Sequence, residues 1–207
     1  MSSFFFRADR QTFLNLRMKK ITVYCGSNKG KNPVYTEAAQ ALANEMIKRD
    51  MSLVYGAGNV GLMGVLADAM LKAGKNVYGI IPQKLVDIEV AHQGCTELTV
   101  VETMRDRKWL MAERGDGFIA MPGGIGTFEE LFEIMTLNQL AYIRKPLALY
   151  NVNGYYDSLL KFLKHAVREG FLHQAQLDLL VVEDNPTEIL EKMTAFEPTY
   201  IEKWEVK

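Results

Sequence analysis

From residue 21 onward the chain alternates short β-branched apolar runs with longer stretches of helical period, a pattern that folds as a parallel sheet with helical crossovers. The runs predict strands at Ile21 to Cys25, Met51 to Tyr55, Asn76 to Ile81, Leu98 to Val101, Gly117 to Met121, Pro146 to Tyr150 and Leu179 to Val182. Asn32-Pro33 and Asn185-Pro186 put proline at helix starts, and Gly74 closes a helix that begins near Val60. No Pro/Ser-rich linker, repeat or low-complexity stretch interrupts the pattern, and the irregular span from Pro82 to Glu97 is too short for a second domain. The expectation is a single-domain, Rossmann-like, doubly wound parallel β-sheet flanked by helices over residues 19–195. A leader or disordered extension over 1–18 precedes it and a tail over 196–207 follows.

Composition narrows the function. At 207 residues with 48% hydrophobic positions, the core needs no disulfide or metal to hold it. The 24 Lys+Arg balance 25 Asp+Glu, so the clustered positive charge that neutralises phosphates in a nucleic-acid binder is missing. Cys25 and Cys95 lie far apart, with no CxxC and no histidine at ligand spacing; neither a zinc site nor a disulfide framework is indicated, and a reducing, cytoplasmic setting is expected. No apolar run approaches the roughly 18–20 residues of a membrane span, and the first eighteen residues lack the apolar core of a secretory signal.

In such a sheet ligands bind beyond the carboxyl ends of the strands. Those ends are glycine-rich: Gly26-Ser27-Asn28 after strand one, Gly56-Ala57-Gly58-Asn59-Val60-Gly61 after strand two, Pro122-Gly123-Gly124-Ile125-Gly126-Thr127 after strand five. Gly56, Gly58 and Gly61 satisfy GxGxxG, but Ile81-Pro82-Gln83-Lys84 stands where a dinucleotide site needs its ribose-binding acid. An NAD-dependent oxidoreductase is therefore disfavoured. The glycines serve either phosphate or close helix-to-strand packing, and Ser27, Gly58 and Gly61 are carried as phosphate-loop candidates.

PGGIGTFEE (122–130) is the stronger motif. Its glycines let the backbone approach an anion, the following helix presents unpaired N–H groups and a positive dipole end, and Thr127 adds a hydroxyl. The competing reading is a tight strand-to-helix turn capped by Thr127. Taking the helix as Phe128 to Tyr142, Glu130 aligns with Thr127, Ile134, Leu137 and Ala141, an apolar stripe on which a carboxylate is costly. Glu129 and Glu133 read as solvated or dipole-favoured charges. Met104-Arg105-Asp106-Arg107-Lys108 opens the helix after strand four, so its side chains should emerge at the same sheet edge, unless it is only a surface charge run.

CGSN (25–28), YGAGNVGLMG (55–64), EVAH (89–92), MRDRK (104–108) and PGGIGTFEE, in this order over about residues 19–195, closely resemble the Lonely Guy (LOG) family of cytokinin riboside 5′-monophosphate phosphoribohydrolases. Some relatives carry a lysine decarboxylase label, but the chain shows no candidate pyridoxal-phosphate site. The resemblance implies hydrolysis of the N-glycosidic bond of a purine nucleoside 5′-monophosphate, without cofactor or metal, giving free base and ribose 5-phosphate. It gives Arg107 and Glu130 catalytic roles and places Glu89, Lys108, Gly123, Gly124, Ile125, Gly126, Thr127 and Thr136 at substrate-binding positions. It also implies a homodimer with sites near the subunit boundary, in keeping with a helix at 128–142 that is apolar round most of its circumference.

The chain departs from the family pattern at Arg105, where histidine is common nearby, at Ile125, often aromatic, and at Leu137, often tryptophan. These differences bear on base preference more than on the reaction. The alternative class is a Rossmann-type nucleotide-binding or carrier protein without chemistry. Glu130 separates the two, since a carboxylate beside a phosphate site repels the ligand unless the reaction uses it.

Overall fold

The computed structural model describes residues 18–86 and 91–197. All seven expected strands form: β1 (Lys20–Tyr24), β2 (Ser52–Tyr55), β3 (Val77–Pro82), β4 (Glu97–Val101), β5 (Gly117–Ala120), β6 (Leu147–Tyr150) and β7 (Leu180–Glu183). They make one sheet of order β4-β3-β2-β1-β5-β6-β7, with every neighbouring pair parallel. The order runs one way from β1 to β4 and reverses from β5 to β7. The crevice of this doubly wound sheet therefore opens between the carboxyl ends of β1 and β5.

Helices α1 (Val34–Lys48), α2 (Gly61–Lys72), α3 (Gln83–Val86), α4 (Met104–Arg114), α5 (Ile125–Gln139), α6 (Asp157–Arg168), α7 (Gln174–Leu177) and α8 (Pro186–Thr194), with a 3₁₀ turn at Val152–Gly154, complete the described elements. Strand alternation sorts the core into two layers. Ile21, Val23, Leu53, Tyr55, Ile119 and Met121 face α1, α2 and α8, where Leu42, Leu66 and Ile189 are fully or almost fully buried. Tyr24, Val54, Phe118 and Ala120 face the opposite way, onto Met111 and Ala112 of α4 and Leu131 and Ile134 of α5.

Three sequence expectations shift. Met18, assigned to the leader, is 8% exposed and packs with the core, so the domain starts at least one residue earlier. The helix expected over 128–142 runs from Ile125 to Gln139, because Gly124 supplies the extended residue before the first turn. Thr127 is consequently a buried first-turn residue and not the cap. Within the span from Pro82 to Glu97, Pro82 extends β3 and 83–86 form one helical turn. Glu89, most of the leader and most of the tail lie outside the described residues.

Candidate active site

Arg107 reaches the crevice because Thr103 fixes where α4 begins. The Thr103 hydroxyl accepts from the Asp106 N–H at 3.1 Å while the Asp106 carboxylate accepts from the Thr103 N–H at 3.2 Å, a reciprocal cap. Asp106 is thereby accounted for, and Arg107 leaves the first turn pointing across β3 to β2. The residue is 6% exposed, and its guanidinium donates from Nη2 to the Gly56 carbonyl at 2.9 Å. Nε is buried with no hydrogen-bond partner, and no carboxylate of the described residues lies within ion-pair distance of the guanidinium. A buried charge with an unpaired donor is costly and marks a group kept for something other than stability.

Lys108, the next residue, does the opposite. Its ammonium bonds to Glu129 and sits 3.2 Å from Glu133. Burial alone would lower the Lys108 ammonium, but these two carboxylates carry it above its ordinary value. Glu129 and Glu133, expected as solvated charges, thus form a clasp between α4 and α5.

Glu130 is left out of this clasp. It is partly buried, and no described residue gives its carboxylate a hydrogen bond or ion pair. Burial pushes its carboxyl up to about 7, opposed by Arg107 and Lys108 and reinforced by Glu129 and Glu133. Desolvation and then Glu130 and Glu133 also raise the Tyr24 phenol, and burial with Glu130 raises the Cys25 thiol, so both stay neutral at this edge. A carboxyl poised near neutral pH across from a buried guanidinium is the pattern expected of a catalytic pair.

The glycine loops close the crevice floor. The Gly26 N–H donates to the Pro122 carbonyl at 3.1 Å, joining the ends of β1 and β5, and the Leu62 N–H donates to the Gly26 carbonyl at 3.0 Å, seating α2 on the first loop. Gly61 has φ +66°, and a Cβ there would stand 2.2 Å from the Ser27 carbonyl carbon. Gly58 bridges to Ala91 and packs on Met63. Packing alone therefore accounts for Gly58 and Gly61, whereas Ser27 is exposed at the loop rim.

The 123–127 loop is different. The backbone N–H groups of Gly124, Ile125, Gly126 and Thr127 donate to no group of the described residues, and a Cβ at Gly124 or Gly126 would meet nothing within 4 Å. Four free donors at the start of a 15-residue helix, with open space before them, can hold an anion. Gly123 must be glycine, since a Cβ would come within 2.1 Å of the Thr127 hydroxyl.

Arg107, Lys108, Gly123 to Thr127 and Glu130 thus gather at one crevice. Thr136 stands apart, exposed about 9 Å further along α5, its hydroxyl donating to the Phe132 carbonyl at 2.8 Å. Sequence reading passed over Tyr24, Tyr155 and Tyr156. The last two were open to it, since they follow β6 and so belong to the same carboxyl edge.

Fold and site together define a doubly wound α/β protein with a carboxylate and a guanidinium at its switch-point crevice. A family model described as "Possible lysine decarboxylase" matches residues 63–193. Cytokinin riboside 5′-monophosphate phosphoribohydrolase LOG7 of Arabidopsis thaliana is 45% identical over 186 residues, 90% of this chain and 86% of that protein. Probable cytokinin riboside 5′-monophosphate phosphoribohydrolase LOGL6 of Oryza sativa subsp. japonica is 41% identical over 192 residues, 93% of this chain and 77% of that protein. A molybdenum cofactor binding protein from Rippkaea orientalis superposes with a TM-score of 0.65 at 22% identity, over 87% of this chain and 98% of that one, a likeness of fold alone. The chain belongs to the LOG family of phosphoribohydrolases, hydrolases of the N-glycosidic bond.

The decarboxylase description would call for pyridoxal phosphate, and the residues do not fit that group. A lysine that attacks a carbonyl needs a lowered pKa. Lys108 is instead held as an ammonium by two carboxylates, and Lys145, whose ammonium burial does lower, donates to the Ala112 and Glu113 carbonyls at the end of α4 remote from the crevice.

Proposed function

We propose that the protein hydrolyses the N-glycosidic bond of purine nucleoside 5′-monophosphates, adenine or N6-substituted adenine, releasing free base and ribose 5-phosphate. One observation carries this reading: Glu130, free of ion pairs and pushed up to about 7, shares the crevice with the anion-ready 123–127 loop and Arg107. Cleavage passes through an oxocarbenium-like sugar, which an ionised Glu130 stabilises while it orients and deprotonates the attacking water. Arg107, whose charge acts on Glu130 without an ion pair in the free protein, brings the carboxylate and nucleotide into register once the substrate is bound. The free N–H groups anchor the 5′-phosphate, so that binding energy remote from the reacting bond positions it. Lys108, Glu89 and Thr136 remain substrate-binding proposals. A carrier would have no use for Glu130 beside an anion site.

The working unit is proposed to be a homodimer. Its location is proposed as cytoplasmic, where Cys25 and Cys95, both free, stay reduced. Among the described residues no helix is long and apolar enough to cross a membrane. The test is incubation with AMP, N6-isopentenyl-AMP and adenosine, following base and sugar phosphate. The expected result is turnover of the nucleotides and far weaker turnover of adenosine. Equal turnover of adenosine and AMP would remove the 123–127 loop from phosphate binding, and no base release from either nucleotide would end the hydrolase reading.

A further inference from the structure

Three successive carbonyl groups after β5 are each held by a donor. Tyr156 donates its hydroxyl to the Met121 carbonyl at 2.6 Å, the Gly26 N–H donates to Pro122, and Tyr155 donates its hydroxyl to Gly123. The last of these has a directional consequence. In a trans peptide C=O and N–H point opposite ways, so fixing the Gly123 carbonyl on Tyr155 turns the Gly124 N–H away from it. That N–H bonds to no described residue, and Gly124 is exposed with open space around it.

The peptide needs such control because glycine stands on both sides of it. Two glycines impose little φ/ψ restriction, so the peptide plane can turn over and present its carbonyl oxygen, which repels an anion, in place of its N–H. Tightening the loop by sequence is not open at position 123, where the Thr127 hydroxyl fills the Cβ space. With glycine at both positions, the orientation observed comes from a donor outside the loop, the Tyr155 hydroxyl. Tyr155 is itself fixed: its ring meets Tyr35 edge-on at 6.0 Å and Tyr156 at 5.1 Å, and stacks on Phe128 at 6.4 Å.

We propose that Tyr155 is a positioning residue for anion binding, its hydroxyl setting the Gly123–Gly124 peptide so that the Gly124 N–H faces the 5′-phosphate. The proposal rests on the reading of 123–127 as a phosphate cradle. Tyr156 provides the internal control. The carbonyl it holds belongs to the Met121–Pro122 peptide, and proline has no N–H to aim.

The experiment compares wild type, Tyr155→Phe and Tyr156→Phe by calorimetric binding of AMP and of adenosine, with melting temperatures alongside. Tyr155→Phe keeps the ring contacts and removes one hydrogen bond. AMP should bind roughly 5–10-fold more weakly, with adenosine affinity unchanged and little change in melting temperature. Tyr156→Phe should lower the melting temperature, because it leaves a buried carbonyl unpaired, and keep the wild-type ratio of AMP to adenosine affinity. An unchanged AMP affinity in Tyr155→Phe, or equal weakening of both ligands, overturns the proposal. Turnover is read separately: wild type that binds AMP without releasing base fails as a hydrolase, while the affinity comparison still decides the role of Tyr155.

Discussion

Arg107 fills the space that a side chain at position 56 would need: a methyl group on Gly56 would stand 1.8 Å from the Arg107 Nη2 and 2.9 Å from its Cζ. The first glycine of the GxGxxG run is thus explained by an arginine 51 residues later, not by a dinucleotide. The contact also sets where the guanidinium sits relative to Glu130, since the Gly56 carbonyl is its backbone anchor.

Gly56→Ala is accordingly a test of Arg107 made without touching Arg107. The added methyl meets the far end of a flexible side chain, so the fold should survive with a stability loss of about 1–2 kcal/mol. The guanidinium, however, must leave its place, and a misplacement of about 1 Å in a catalytic group costs roughly 10²-fold. A fall of that order in kcat/KM for AMP, with a cooperative melt retained, is expected. Activity within a few fold of wild type would show that the position of Arg107 is immaterial.

Glu130→Gln should abolish most turnover, by roughly 10²–10⁴-fold, since the amide keeps the volume and loses both the charge and the basic oxygen. It should also stabilise the protein. Burial holds the carboxyl at about 7 in the folded state against an ordinary value of 4.5, so between these values the folded form binds the extra proton and stability falls as pH rises. Above pH 7 the penalty is complete, up to about 3 kcal/mol, and below the unfolded value it vanishes. Melting temperatures of the two proteins should therefore differ most above pH 7 and converge toward pH 4.5. A gap independent of pH would place the Glu130 carboxyl in ordinary water.

The seven strands were legible because each is a short apolar run bounded by turn residues, and every observed end falls within one residue of that expected. Glu130 was legible for the opposite reason, as a charge out of phase with its helix. What could not be read were relationships between elements. The Lys108 clasp joins residues on two helices, and no local rule distinguishes Glu129 and Glu133 as its partners from solvated charges. Likewise Gly61 reads as a phosphate glycine in a motif, yet its close approach to the Ser27 backbone appears only when α2 is seated on the loop after β1.

The pH dependence of kcat/KM reports the free enzyme. If the ionised Glu130 is required, activity should fall tenfold per unit on the acid side of an apparent pKa near 7. Lys108→Met removes a cation that lowers this value and frees Glu129 and Glu133, which raise it, so the acid limb should move to higher pH. An acid limb that stays in place in Lys108→Met would mean that another group controls it.

The dimer is tested on α5. The sheet and its neighbours bury only Thr127, Leu131 and Ile134 of this helix, while Phe132, Leu140 and the following Tyr142 remain 39%, 45% and 71% exposed. Helix α6 packs Leu159 and Leu160 into the same core cluster as Leu131 and Ile134 and still leaves Phe132, Leu140 and Tyr142 uncovered. An apolar face of this kind is most simply buried against a second copy of itself across a two-fold axis. Phe132 lies on α5 between Glu129 and Glu133, so such an interface would border the Lys108 clasp and the crevice behind it. Sedimentation should give about twice the 23.4 kDa chain mass. Phe132→Asp, which places a charge in the apolar face, should shift the protein to monomer and lower specific activity, with recovery at high concentration. A wild-type monomer whose specific activity does not change on dilution would defeat both the dimer and its link to the site.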